Sequence, residues 1–256
     1  MVHPLSVPCI EVTGLAKSYP GAADSVPVLK DVAFRILPGE FVSLLGPSGG
    51  GKSTLLNLIA GLELPDEGRV QVEGERPGRD PRIAYMQQKD LLLPWRTVWD
   101  NILLAPELHS RAERNAAEHE ARHLLAMFHL ERFADALPAQ LSGGMRQRVA
   151  LIRTLLCGRD ILLLDEPFGA LDAITRGKLQ RHLLQVWRDF RKTVVLVTHD
   201  VEEALLLSTR ILLLTTAPGR VLADIPIPWP HEERLQSVAL AAMKAEILGR
   251  LEGPNG

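Results

Sequence analysis

Several features are scarce in this chain of 256 residues, and each scarcity argues against a class of protein. Only two cysteines occur, Cys9 and Cys157, far apart and without metal-site spacing. A disulfide-linked secreted domain is therefore disfavoured, and two ordinary thiols in a reducing compartment are expected. No apolar run approaches the roughly 18 residues that cross a bilayer. The net charge of −2 offers no general attraction for nucleic acid.

The N-terminal sequence, MVHPLSVPCIEV, has neither a basic head nor a long apolar stretch, which distinguishes it from a signal peptide. Hydrophobic residues make up 46% of the chain, which is ample for a buried core. We therefore expect a cytosolic protein that reaches a membrane only through a partner.

Short apolar runs alternate with helical stretches, a pattern typical of an α/β domain. Strands are predicted at Phe41–Leu45, Val70–Glu73, Ile83–Met86, Ile161–Leu164 and Val194–Val197. Helices are predicted at Lys52–Ala60, Thr175–Phe190 and His231–Leu251. Between about residues 89 and 158 the composition becomes charged and alanine-rich, which predicts a mostly helical subdomain.

Residues 46–54 read GPSGGGKST and fit the phosphate-binding pattern G-x-x-x-x-G-K-[ST]. The residues of this phosphate loop are Gly46, Pro47, Ser48, Gly49, Gly50, Gly51, Lys52, Ser53 and Thr54. Its glycines let the backbone wrap phosphates without side-chain clashes. Lys52 is suited to reach the β- and γ-phosphates, Ser53 to ligate Mg²⁺, and Thr54 to bond the α-phosphate. The motif predicts a binder of a nucleoside triphosphate.

A second motif, LSGGM, occupies residues 141–145. A serine and two adjacent glycines at the start of a helix leave backbone N–H groups bare. Such groups suit an anion better than an apolar core.

Further motifs follow in a recurring order: SYP at 18–20, YMQQ at 85–88, ILLLDEP at 161–167, GALD at 169–172 and VTHD at 197–200. With the phosphate loop and LSGGM, the chain resembles the ATP-binding subunits of ABC transporters from about residue 7 to 225. The resemblance implies an α/β P-loop ATPase core, with a mixed sheet and flanking helices, a β-rich N-terminal portion and a helical subdomain. The ATP-binding domain would cover 1–230, and a helical extension 231–256.

The resemblance also implies a catalytic centre around Asp165 and Glu166. Both follow an apolar strand, and sites in open α/β sheets form at such strand ends. Asp165 would hold Mg²⁺, and Glu166 would be the general base for the attacking water. Gln87 would sense Mg²⁺ and the attacking water, and it fits the family pattern better than its neighbour Gln88.

Other roles are implied by position in the family motifs. His199 would contact the γ-phosphate, Asp172 would couple two active sites, and Tyr19 would stack on adenine. In the family, Gly50 is usually a serine. We expect ATP binding to be retained in a slightly looser loop, because that position mainly presents its backbone.

Ser142, Gly143 and Gly144 imply a dimer. In the family these residues close over the γ-phosphate held by the opposite subunit, so two ATP molecules are sandwiched in a head-to-tail pair. A monomer would hold two incomplete half-sites. ATP and Mg²⁺ are thus the implied ligands.

The segment Leu91–Ile102, LLLPWRTVWDNI, narrows the family assignment. Its apolar residues suit a hydrophobic socket that would receive a helix of a membrane partner; these residues are Leu91, Leu92, Leu93 and Trp95. The alternative is a buried core segment. This segment and the turn Ala217-Pro218-Gly219-Arg220 most resemble importer ATPases of the nitrate, sulfonate and taurine group.

The implied function is therefore the ATPase subunit of an importer for a small anion. It would lie peripherally on the cytoplasmic face of the cell membrane, with two integral membrane subunits and, indirectly, a substrate-binding protein. Two alternatives stay open: an importer subunit for a vitamin precursor, and a soluble ABC ATPase such as a cluster-assembly scaffold.

One motif is set aside. Residues 119–123 read HEARH and fit the zinc-protease pattern H-E-x-x-H. The surrounding stretch is heavily charged and offers no obvious third ligand, so we interpret it as a solvated helix face.

Overall fold

The computed structural model describes residues 7–21, 24–75, 82–108, 110–169, 171–234 and 238–252. The elements are β1 (Ile10–Pro20), β2 (Ser25–Ile36), β3 (Phe41–Leu45), α1 (Lys52–Ile59), β4 (Glu67–Val72), β5 (Ile83–Met86), α2 (Val98–Ile102), α3 (Arg111–Met127), α4 (Gly143–Leu156), β6 (Ile161–Asp165), α5 (Ala173–Phe190), β7 (Thr193–Thr198), α6 (Val201–Leu207), β8 (Arg210–Leu214), β9 (Val221–Pro226), α7 (His231–Arg234) and α8 (Val238–Glu252). The chain divides into two units, Met1–Asp80 with Val186–Gly256, and Pro81–Gln185. No helix of the described ranges is long and apolar enough to span a bilayer.

The first unit contains the central strand β3. It pairs in parallel with β7 on one side and β8 on the other, and β9 adds an antiparallel partner to β8. Every residue of β3 and β7 is buried. Strands covered on both faces are apolar along their whole length, which explains why FVSLL and TVVLVT do not alternate with polar residues.

The N-terminal portion of the same unit is an antiparallel sheet in the order β2-β1-β4. The central strand β1 pairs Ile10 with Ile36 of β2 and with Val72 of β4. These three side chains are fully buried, so one face of the sheet packs inward. The predicted β-rich N-terminal portion is thus confirmed.

Within the first unit, the C-terminal residues pack against α6. An apolar cluster joins Leu205 of α6, Leu213 of β8 and Ile247 of α8. The guanidinium of Arg234, which is 2% exposed, donates to the carbonyl oxygens of Leu205 (3.1 Å), Leu206 (3.1 Å) and Ser208 (2.6 Å). Because α6 ends at Leu207, this side chain satisfies carbonyls that a helix terminus leaves without partners. The domain boundary at residue 230 remains a prediction.

The second unit combines two strands with the predicted helical subdomain. Strands β5 and β6 pair in parallel, and α4 packs on α2, α3 and β5. Helix α3 starts with a capping box, in which Ser110 and Glu113 each bond the other's backbone N–H. His119 and His123 of α3 are exposed, and among the described residues no group of three or more His, Cys, Asp or Glu side chains is placed to hold a metal ion.

Both cysteines carry free thiols, as expected. Cys9 is buried beside Ile36 and Thr193, and desolvation raises the pKa of its thiol. Burial also raises the pKa of the Cys157 thiol. Both thiols therefore stay protonated and weakly nucleophilic at neutral pH.

Candidate functional site

The phosphate loop connects β3 directly to α1. Gly49 (φ 82°) and Gly51 (φ 78°) adopt the left-handed conformation that favours glycine. Helix α1 begins at Lys52, so its first backbone N–H groups and the positive end of its dipole lie at the end of the loop. This geometry suits an anion such as a phosphate group.

The Lys52 side chain folds back over the loop that precedes it. Its ammonium donates to the carbonyl oxygens of Gly46 (2.8 Å) and Pro47 (2.7 Å), and the residue is 6% exposed. The loop therefore concentrates a nearly buried positive charge together with its backbone N–H groups.

His199 and the phosphate loop lie at the same edge of the sheet. Leu45, which precedes the loop, pairs with Thr198, which precedes His199. Because β3 and β7 are parallel, their carboxyl ends meet at one edge, where ligand sites of α/β sheets form. The register thus brings together two motifs that lie far apart in the sequence.

Tyr19 lies near the phosphate loop and is anchored at its hydroxyl. The phenol donates to Glu63, whose other carboxylate oxygen accepts from Asn57 (2.8 Å). Lys17 lies over the Tyr19 ring, 5.6 Å from its centroid. Burial raises the pKa of Tyr19, the Glu63 bond raises it further, and a hydrogen bond with Thr54 opposes both. Glu63, which sequence reasoning missed, thus holds Tyr19 in place.

In the second unit, Gln87 and Asp165 lie side by side. Their strands pair Met86 with Leu164, so Gln87 and Asp165 each follow one member of that pair. Asp165 is 2% exposed at the carboxyl end of β6. Amide and carboxylate oxygens of this kind, together with a serine hydroxyl such as that of Ser53, are the hard ligands that Mg²⁺ prefers. The residue types therefore fit this ion.

Glu166 has an unusual backbone conformation, with φ at 48°, which few non-glycine residues adopt. Its carbonyl oxygen accepts from Gln147 Nε2 (2.7 Å) and from the Gly169 N–H (3.2 Å). Gln88 Nε2 lies 3.3 Å from its carboxylate. The side chain of Gln88, the neighbour of the predicted Gln87, therefore reaches the predicted base.

The LSGG motif begins helix α4. The Ser142 hydroxyl accepts from the Met145 N–H (3.3 Å) as the helix cap, and Ser142 and Gly143 are exposed. Arg146 donates to the Leu141 carbonyl (2.8 Å) and to the Asp90 carboxylate (3.0 Å). The motif is thus tied to the segment that follows Gln87.

Asp172 lies at the start of α5 and is exposed. Its carboxylate accepts from the Thr175 N–H (3.0 Å), which is the bond of a helix cap. Nothing in this arrangement tests its predicted coupling of two active sites.

The apolar loop 91–95 is only partly a core segment. Trp95 is 72% exposed and Leu91 52%, whereas Leu92 is 8% exposed and belongs to the core. Leu92 is therefore wrongly included in the predicted socket. Leu92 points into the core, whereas Leu91 and Trp95 lie on the surface.

A buried asparagine and a half-buried arginine hold this loop. Asn101 is fully buried; its amide donates to the carbonyls of Leu93 (3.2 Å), Arg96 (3.0 Å) and Thr97 (2.9 Å), and its oxygen accepts from the Leu93 N–H (2.8 Å). Arg153 of α4 donates to the carbonyls of Asp90 (2.6 Å) and Leu91 (2.8 Å). Desolvation lowers the pKa of Arg153. The exposed side chains thus stand on a loop with a fixed backbone.

Comparison with known proteins places this geometry in a family. The family described as "ABC transporter" matches residues 29–169. The bicarbonate transport ATP-binding protein CmpC of Synechococcus elongatus is 45% identical over 252 residues, which are 93% of this chain and 37% of that protein. The chain therefore spans little more than a third of that relative's length.

Two other matches cover most of both partners. The taurine import ATP-binding protein TauB of Pseudomonas entomophila is 45% identical over 85% of this chain and 83% of its own length. The dimeric post-hydrolysis structure of the ATP-binding cassette MJ0796, bound to ADP and Pi, matches with a TM-score of 0.77 at 34% identity. That match covers 86% of this chain and 100% of the solved one. The chain therefore belongs to the ABC transporter family, as one of its ATP-binding domains.

Proposed function

We propose that this chain binds and hydrolyses ATP to drive an importer of a small anion. The observation that carries the importer assignment is the rigid loop with Trp95 exposed on it. An exposed indole above a buried core and a polar network has no role in packing this chain, and it suits a partner protein. The names of the relatives, which refer to bicarbonate transport and taurine import, support the anion class.

The proposed ATP site uses the phosphate loop as its anion cradle. The loop N–H groups and the Lys52 ammonium would neutralise the β- and γ-phosphates, and Tyr19 would stack on adenine. Ser53, Asp165 and Gln87 are the residues that would hold Mg²⁺, which would supply neutralisation of the phosphate charge. His199 would contact the γ-phosphate from the edge that it shares with the loop.

Glu166 is the proposed general base. Its carboxylate would accept a proton from the water that attacks the γ-phosphate, and Gln88 would help to orient it. The carbonyl contact with Gln147 fixes the Glu166 backbone from helix α4, which also begins with LSGG. This helix thus connects the base to the residues proposed to reach the γ-phosphate.

The complete site would require two chains. Ser142, Gly143 and Gly144 are proposed to close over the ATP of a second ATP-binding subunit, and Asp172 to couple the two sites. The dimeric state of the solved MJ0796 cassette supports this arrangement. Two integral membrane subunits would bind the loops around Trp95, and a separate binding protein would deliver the anion. The chain would then lie peripherally on the cytoplasmic face of the cell membrane.

Trp95→Ala is expected to leave ATP binding unchanged and to weaken assembly with the membrane subunits by at least about tenfold, because exposed aromatic anchors carry much of an interface's binding energy. The measurement is the amount of membrane subunit that copurifies at graded detergent concentrations. Phe190→Ala is the matched control, since Phe190 is 61% exposed in the other unit. Equal recovery with Trp95→Ala and Phe190→Ala would count against the socket.

A further inference from the structure

The turn between β8 and β9 is held by a local hydrogen-bond network around Thr215. The Thr215 N–H donates to the Arg220 carbonyl (3.0 Å), and the Thr215 hydroxyl accepts from the Arg220 N–H (3.0 Å). The same hydroxyl lies 3.0 Å from the Thr216 carbonyl oxygen and 3.2 Å from that of Pro218. One side chain therefore sets the shape of the turn.

This turn is also fixed to strand β2. The Gly219 N–H donates to the Val28 carbonyl (2.8 Å), and the Lys30 N–H donates to the Gly219 carbonyl (3.0 Å). These two bonds form a short parallel bridge centred on Leu29. The turn is therefore held by the hydrogen bonds between Thr215 and Arg220 and by those between Gly219 and β2, and none of these bonds involves the phosphate loop.

The backbone of the turn touches the backbone of the phosphate loop without intervening side chains. A β-carbon built on Gly50 would lie 2.7 Å from the Thr215 carbonyl oxygen. One built on Gly219 would lie 2.2 Å from the Gly50 carbonyl oxygen. Both distances are far below van der Waals contact, and both involve backbone atoms that cannot rotate away. Glycine at 50 and at 219 is therefore a condition of this contact.

The close contact changes the interpretation of Gly50. The sequence comparison suggested a slightly looser loop where the family usually has serine. Instead, Gly50 is buried, and a serine there would overlap the Thr215 carbonyl unless the backbone moved. The loop is also confined at the next residue, where a β-carbon on Gly51 would lie 2.6 Å from Leu29 Cδ2.

We propose that the Thr215–Arg220 turn is a positioning element for the phosphate loop, with Thr215 and Gly219 as its determining residues. The turn and Leu29, which is paired with it, together confine the loop backbone, so its N–H groups are preset for the phosphates of the nucleotide. This preorganisation lowers the entropy that binding must remove. The inference rests on the proposed binding of ATP by this loop, and it concerns the phosphate part of the ligand only.

The first test compares Thr215→Val with Thr215→Ser in the full chain. Valine removes the hydroxyl that shapes the turn, whereas serine keeps it. The dissociation constant for Mg-ATP is expected to rise by about three- to tenfold in Thr215→Val and to stay within about twofold of native in Thr215→Ser. Mg-tripolyphosphate, which has no adenine, should show the same ratio. Because a general loss of folded chain would weaken both probes by the same factor, melting temperatures without ligand are measured beside the affinities, and Thr215→Val is expected to stay folded at the assay temperature.

The second test introduces the clash. Gly219→Ala is expected to weaken binding of both probes by at least about tenfold, as overpacking displaces the loop. Gly249→Ala is the matched control, because a β-carbon there meets no atom within 4 Å. Gly50→Ser, which restores the residue usual in the family, is expected to weaken binding as well.

Native affinity in Thr215→Val and Gly219→Ala would overturn the positioning role while leaving the proposed function intact. A loss of affinity for Mg-ATP with unchanged affinity for Mg-tripolyphosphate would also overturn it. If the native chain binds neither probe, the proposed function fails, and this inference fails with it.

Discussion

Glu166→Gln is expected to bind Mg-ATP with near-native affinity and to hydrolyse it at least about 100-fold more slowly, a loss of about 2.7 kcal/mol of transition-state stabilisation. Glutamine keeps the shape of the side chain and can still contact Gln88, but it cannot accept the proton of the attacking water. The Glu166 backbone is held by Gln147 and Gly169, so the substitution should leave the strand end in place.

The measurement is single-turnover hydrolysis beside equilibrium ATP binding, which separates chemistry from affinity. Glu246→Gln is the control, because this exposed glutamate of α8 lies outside the proposed site. Turnover close to native in Glu166→Gln would remove the base assignment. Loss of ATP binding in that variant would instead assign Glu166 a role in binding.

Arg234→Met is expected to lower the free energy of unfolding by about 3 kcal/mol, because breaking buried charge-assisted hydrogen bonds costs more than an ordinary contact. The guanidinium also donates to the Trp229 carbonyl (2.9 Å), in addition to its three contacts at the end of α6. Methionine has a similar volume but leaves these carbonyl oxygens buried without a donor.

Two further variants test whether the loss of stability in Arg234→Met comes from the contacts with α6. Arg250→Met removes an exposed i,i+4 ion pair with Glu246 on α8 and is expected to cost at most about 0.5 kcal/mol. Arg234→Lys keeps the charge but loses the planar fork, so it should lie between native and methionine. The measurement is the midpoint of chemical denaturation at constant slope. Equal midpoints for Arg234→Met and Arg250→Met would show that the α6 contacts carry no stability.

The core of the fold was predictable because its signal is local and apolar. The buried strands Phe41–Leu45 and Ile161–Asp165 agree with their predictions within one residue. Strands β1, β2, β8 and β9 were not predicted. The residues of β1, β2 and β9 mix apolar and polar types, and β1 has bulges around Leu15, so no clean period is visible there, whereas β8 reads RILLL and is apolar after Arg210. The predicted terminal helix His231–Leu251 agrees with the described residues, which are helical over His231–Arg234 and Val238–Glu252, while residues 235–237 lie outside the described ranges.

Site residues were predictable where they belong to one continuous sequence motif. They were missed where contacts between distant parts of the chain bring them to the site. Nothing in the local sequence VWDNI marks Asn101, and its role is visible only in the fold, where its amide donates to the carbonyls of Leu93 and Thr97. Glu63 lies 44 positions after Tyr19, and no local pattern indicates their hydrogen bond. The close approach of Gly219 to Gly50 likewise depends on how the strands are arranged in the sheet, and the spacing of residues along the sequence does not predict it.

The importer assignment is tested most directly by gentle purification of the tagged chain from the membranes of its own host in detergent, followed by mass spectrometry. The predicted result is an integral membrane protein that copurifies in fixed ratio with the native chain and with Phe190→Ala, and is depleted with Trp95→Ala. Recovery of soluble companions alone, or of none, under conditions that hold a control transporter together would contradict the importer assignment.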